Sequence, residues 1–255
     1  MRTQALTISS LMKREILFSI IFFLWLAIPF CTYGQGKLRV SVPLIWSEVE
    51  VKDNWTPTTA VGYKEFLSGN AFGYGVDLIY SFHPGFIIRD KHFSINVGGG
   101  YFNQTFNIER PFNYRTQLFP AYYTDSYLYH SWQGIFGLTY ARSFNKYALT
   151  AGVSYRVLRS FRQEYTPTYG PSSYGFFTQT NHQQIDFARM LFFDVGISRY
   201  LGDRFLVGVD IIAPAYTRWR NDTIFDDDAA TFSKPKFSFG TSLHVSYRFK
   251  STKSP

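Results

Sequence analysis

The sequence predicts an all-β protein: an eight-stranded, antiparallel, up-and-down transmembrane β-barrel behind a cleaved export signal. Three observations predict it. Segment after segment alternates large apolar residues with small or polar ones at period two. The best is 237–249, where Phe237, Phe239, Thr241, Leu243, Val245, Tyr247 and Phe249 oppose Ser238, Gly240, Ser242, His244, Ser246 and Arg248. The connections between these segments alternate long and short. Finally, the 255-residue chain is 20% aromatic and only 17% charged, yet its mean hydropathy is −0.13. A barrel in lipid shows its apolar face to acyl chains and so looks only moderately hydrophobic overall. A soluble sandwich would bury the same face against a second sheet.

Residues 1–34 read as a signal peptide, with 35–255 as the mature chain. Lys13 and Arg14 form a basic head, Ile16 to Phe30 is apolar apart from Ser19 and Pro29, and Thr32 to Gly34 offer small residues before Gln35. The run is shorter than the roughly 20 residues a spanning helix needs. Met12 starts a second plausible signal, so either Met1 or Met12 is the initiator. The only cysteine, Cys31, leaves with this segment, as does a net charge of +2 out of the formal +8. The mature chain then has no disulfide.

The strands follow in order over about 37–249. The first is Leu38, Val40, Val42, Leu44 and Trp46 against Arg39, Ser41, Pro43 and Ile45, with a bulge expected at Pro43. The second sets Phe72, Tyr74, Val76, Leu78, Tyr80 and Phe82 against Gly73, Gly75, Asp77, Ile79 and Ser81. The third runs from Phe93 to Phe102 and the fourth from Trp132 to Ala141. The fifth runs from Tyr147 to Val157, the sixth from Met190 to Ser198, and the seventh from Phe205 to Ala213. The segment at 237–249 is the eighth. Long loops are expected over 52–69, 103–127, 161–185 and 218–235, with short turns at His83-Pro84-Gly85, Asn145-Lys146 and 201–204. Aromatic residues gather near both strand ends, as two membrane interfaces require.

With its signal segment, its eight hairpin-linked strands and the ending Ser246-Tyr247-Arg248-Phe249, the chain resembles small bacterial outer-membrane β-barrel proteins of the OmpX and OmpA-barrel type. It is most similar in style to the Bacteroidota "outer membrane beta-barrel" proteins. That resemblance implies a porin-like fold in the cell outer membrane, long loops outside and both termini in the periplasm. It also implies passage through the export and barrel-assembly machinery. It implies little about function, because one barrel hosts many tasks.

Candidate chemistry falls in three places. Asp77, Arg156, Asp194, Asp210, His244 and Arg248 alternate onto the inner face and are expected to form a polar plug, since an eight-stranded lumen is just wide enough for side chains. Arg159, Arg162, Arg189, Arg218 and Arg220 cluster near the long-loop ends, where arginine forks suit the phosphates of lipopolysaccharide. Tyr114, Tyr122, Tyr123, Tyr127, Tyr165, Tyr169 and Tyr174 are expected to offer contact surface in the loops to an external ligand. Asp226-Asp227-Asp228 matches no cation-loop spacing and reads as a solvated loop, so neither metal nor cofactor is expected. Nucleic acid is a poor partner despite a pI of 9.4, because the basic residues are dispersed and the chain is exported.

The expected function is a structural or surface-binding barrel and not an enzyme. A narrow channel is the alternative. A lipid A-modifying acyl hydrolase or transferase is the second, since His92-Phe93-Ser94 has suitable spacing at the wrong end. His130-Ser131 is at the right end, but its side chains fall on opposite faces.

Overall fold

The computed structural model describes residues 36–53, 66–84, 90–112, 121–168, 179–181, 185–219 and 230–249. The signal segment lies outside the described residues, as do Tyr114, Tyr169, Tyr174, Arg220 and Asp226-Asp227-Asp228. The described strands are β1 (Lys37–Asp53), β2 (Phe66–Phe82), β3 (Phe93–Phe112), β4 (Ala121–Phe144), β5 (Tyr147–Thr168), β6 (Gln179–Asn181), β7 (Ile185–Leu201), β8 (Phe205–Trp219) and β9 (Ala230–Arg248).

Eight of these close a barrel, every pair antiparallel. Sequence neighbours pair in turn, β4 pairs β5, and the ring shuts where β1 meets β9 from Lys37↔Arg248 to Asp53↔Ala230. The short β6 adds to the outer end of β5, at Gln163↔Asn181 to Tyr165↔Gln179, while β7 takes the remainder of that edge. Closure gives backbone donors and acceptors partners without water, the condition for crossing hydrocarbon. Two tight turns show their chemistry directly: Asn145 between β4 and β5 has φ 50°, and Gly202 between β7 and β8 has φ 70°.

The alternation falls as predicted. Val40, Val42, Leu44, Val76, Leu78, Phe136, Leu138, Phe193, Val195, Ile197, Val207, Ile211, Leu243 and Val245 all point outward and are exposed, Val195 at 63% and Leu243 at 62%. Among the described residues, no second sheet covers this belt. A soluble monomer rarely leaves a contiguous apolar patch beyond a few hundred Å² uncovered. The barrel is therefore of the membrane-spanning kind.

Two expectations are corrected. Pro43 makes no bulge: Ser41↔Asp77 and Leu44↔Tyr74 keep one register, and the β1–β2 ladder opens only across Val42 and Pro43. The loop expected over 103–127 is largely strand, because β3 runs on to Phe112 and β4 begins at Ala121, and the loop expected over 161–185 is strand at its start, because β5 reaches Thr168. The reason lies in the pattern. Above Tyr101 and Trp132 the alternation continues with its polarity reversed. Phe102, Phe106, Ile108, Tyr127 and Tyr129 face in and are buried, while Thr105, Asn107, Ser126 and Glu164 face out. The register shifts described in the barrel, at Glu48/Val49, Glu50/Val51, His130/Ser131, Leu158/Arg159 and Leu191/Phe192, all fall near this changeover. Bulges raise local twist and re-aim side chains.

Candidate functional site

The lower lumen is built by inward positions of seven strands. Asp77 on β2 is fully buried and accepts from Arg156 Nη1 of β5 at 2.9 Å and from Gln133 Nε2 of β4. Arg156 also reaches Gln133 Oε1 at 3.3 Å and lies over the Phe192 ring, 5.0 Å from its centre. A second knot sits across the bore. Asp210 of β8 accepts from Arg39 Nη2 of β1, and His244 Nδ1 of β9 lies 3.1 Å from the same carboxylate oxygen. His244 Nε2 pairs with Ser198 Oγ of β7 at 3.0 Å. Asp194 projects into a cavity of about 30 Å³ between the knots, beside Arg39, Arg156 and Asp210. That space holds about one water.

Five of the six predicted lumen residues are thus brought together, and Arg248 is not. It shares their parity but lies at the short-turn mouth of the barrel, where it is exposed. Arg39, Gln133 and Ser198 were missed. Arg39 carried a legible signal, since it opposes Leu38 and Val40 on a strand already read as apolar outward.

Above the ion pairs the bore is filled by apolar side chains: Ile45, Val49, Phe102, Phe106, Leu158, Met190, Phe192 and Ile212 are all at most 4% exposed. Tyr129 joins them and accepts from Gln163 Nε2 at 3.1 Å. The loop-contact role expected of Tyr127 and Tyr165 meets a different placement. Tyr127 is 6% exposed inside this cluster, and Tyr165 packs on it with ring centres 5.0 Å apart. Tyr122 and Tyr123 fall within β4 and not in a loop.

On the outer wall, Arg159, Arg189 and Arg218 are exposed. Arg162 is exposed too, with Nη2 2.5 Å from Glu164 Oε1. Beside them a chain of contacts ties β3, β4 and β5. Tyr101 Oη lies 2.7 Å from His130 Nδ1, and His130 Nε2 lies 3.4 Å from Glu164 Oε1. Trp132 packs on Tyr101 and Phe161, with ring centres 5.7 and 5.4 Å apart. Both nitrogens of His130 thus face protein groups, while Ser131 is fully buried on the opposite face. The hydroxyl beside this imidazole is that of Tyr101, and the adjacent serine, Ser131, lies on the other side of the strand. His92, at the short-turn end, has Nδ1 3.0 Å from the Ala141 carbonyl. Among the described residues, no group of three or more His, Cys, Asp or Glu is placed to hold a metal ion.

No protein-family model matches the sequence, and no curated protein matches it. Solved structures with a similar barrel do exist. The outer membrane protein OprG from Pseudomonas aeruginosa aligns at 10% identity over 85% of this chain and 96% of its own, with a TM-score of 0.43. The outer membrane protease OmpT from Escherichia coli aligns at 10% identity over 86% and 97%, with a TM-score of 0.42. Ail, the attachment invasion locus protein of Yersinia pestis, aligns at 13% identity over 84% and 99%, with a TM-score of 0.31. At these identities the likeness is to outer-membrane β-barrels as a fold, and it extends no further.

Proposed function

We propose that this chain is an integral protein of the bacterial outer membrane that acts through its outer surface and not through its bore. The observation that carries this reading is the double closure of the lumen. A layer of ion pairs around Asp77, Arg156, Arg39 and Asp210 lies under a layer of buried apolar side chains around Phe102, Phe106 and Phe192. Opening a path for ions would strip the lower layer of partners that a buried charge cannot do without. It would also wet the upper layer.

The length of the wall supports the same reading. β4 has 24 residues, whereas crossing hydrocarbon takes about 9–11. The surplus lifts the β3–β4 and β4–β5 pairs well beyond the bilayer as a rigid stalk. A stalk of paired strands presents its tip to partners at low entropic cost, because little is left to order on binding. The partner is an external ligand or protein, held by the surfaces around the outer ends of these strands.

Two measurements test the reading. The protein reconstituted in planar bilayers gives no single-channel steps, and step currents lost in Arg156→Ala would replace it with the channel alternative. Co-expression with a lipid A-producing host leaves the lipid A mass spectrum unchanged. A mass shift abolished by His130→Ala would instead establish lipid A-modifying chemistry.

A further inference from the structure

Five outward residues on five adjacent strands stand in one hydrogen-bonded row: Gly99↔Gly134 from β3 to β4, Gly134↔Val157 to β5, Val157↔Arg189 to β7, and Arg189↔Arg218 to β8. The neighbouring row toward the periplasm is Val97, Phe136, Tyr155, Leu191 and Tyr216, by the same pairings. The neighbouring row toward the outside begins Tyr101, Trp132 and Arg159. Phe136 is 56% exposed, Tyr216 51% and Trp132 45%, so both flanking rows stand proud. Between them a Cβ added at Gly134 would meet nothing within 4 Å. The result is a trough across the wall, floored by two glycines and a valine, with two arginines at one end.

Those arginines are directly opposed across the β7–β8 ladder, an arrangement that like charges disfavour. Their direct neighbours Val157, Leu191 and Tyr216 are uncharged, and the nearest acidic position in the ladder is Asp186, paired with Arg159 one row outward. Two guanidinium forks side by side fit a phosphate.

The trough also slopes. Gly134 lies eleven residues from the turn residue Asn145, whereas Arg189 lies thirteen and Arg218 sixteen from the turn residue Gly202. At about 3.3 Å per residue on strands tilted by roughly 40°, the arginine end stands nearer the outside by roughly 10 Å. The cationic end therefore sits toward the headgroups and the glycine end runs down toward the acyl chains.

We propose that this trough binds one phosphate-bearing acylated lipid of the outer leaflet, its phosphate held by Arg189 and Arg218 and an acyl chain laid over Gly134 and Gly99. The proposal rests on the outer-membrane reading above. Charge pairing selects the lipid, since a second copy of this chain would bring the same cationic pair to the contact.

The test uses full-length protein folded in detergent and native mass spectrometry against three probes: diphosphorylated lipid A, its dephosphorylated form and inorganic phosphate. The expected result is a lipid adduct with the phosphorylated form alone. It should weaken at least about tenfold in the Arg189→Ala/Arg218→Ala pair. It should weaken similarly in Gly134→Trp, which fills the trough, and by less in Arg189→Lys, which keeps the charge but loses the fork. Gel mobility before and after heating verifies that each variant is folded.

Equal binding of the dephosphorylated lipid overturns the proposal. So does an adduct with inorganic phosphate that displaces the lipid yet ignores Gly134→Trp, because the site would then be for phosphate alone. A dimer that Gly134→Trp dissociates, with no lipid bound, also overturns it and assigns the trough to a second copy. Failure of the membrane reading would look different: the mature chain would stay a dispersed monomer in buffer without detergent.

Discussion

The two halves of this barrel are built from the same strands with opposite chemistry. Below the changeover at Trp46, Phe72, Tyr101 and Trp132, the wall is apolar outside and polar inside. Above it, on β3, β4 and β5, the wall is polar outside and apolar inside. Strand pairing runs through both without a break in β3–β4, from Phe93↔Tyr140 to Phe112↔Ala121, while β4–β5 crosses the changeover with a bulge at His130/Ser131. The difference teaches that the surroundings set the pattern. Hydrocarbon rewards apolar residues outside and leaves polar ones only the bore. Water rewards the reverse, and the upper half then stabilises itself as an ordinary protein core does.

This contrast can be broken or sharpened by substitution, with stability read by urea unfolding of protein refolded into phospholipid vesicles. The largest effects are expected inside. Arg156→Leu strands the fully buried Asp77 without its cation and should cost about 3–5 kcal/mol. Phe106→Ala empties the upper core and should cost a similar ~3–5 kcal/mol, a loss expected only if that half is packed like a soluble interior. Next comes the outer face of the lower half. Val195→Arg places a charge on the most exposed apolar position of the belt and should cost about 2–4 kcal/mol. The smallest effect is expected on the outer face of the upper half, where Thr105→Arg should stay within about 0.5 kcal/mol. Equal costs at Val195 and Thr105 would erase the distinction between the halves. A neutral Phe106→Ala would show the upper wall to be unpacked.

How far the sequence could be read follows the same division. All eight barrel strands and their facing were legible where the outer residues are apolar, because Phe136, Val195 or Leu243 announces a lipid-facing position without reference to any partner. The lumen was legible as a set of charged residues but not as pairs. Asp77 and Arg156 belong to strands whose distance across the bore depends on barrel closure, which no local pattern states. Arg39 lies on β1, and only closure of the ring brings it to Asp210 of β8.

The upper wall was read as loop because Asn103, Gln104, Asn107 and Pro111 look like turn chemistry, and because the periodicity there has the opposite sign. Phe102, Phe106 and Ile108 sit at period two within that stretch and were the available signal. The trough was legible only at its cationic end, where Arg189 and Arg218 stood out as candidate phosphate partners. Its floor was not, because Gly99, Gly134 and Val157 join those arginines in one row only through the register of four ladders.

The seam between β1 and β9 sets the order in which the molecule can come into being. Lys37 pairs with Arg248, so the first strand made must wait for nearly the whole chain before its free edge is covered. Until then both flanks of a growing sheet offer unsatisfied amides, the feature that drives strands from different molecules to stick together. Contacts so remote in sequence also form slowly. A barrel that shuts last at this seam stays open to cross-pairing between molecules until β9 reaches β1.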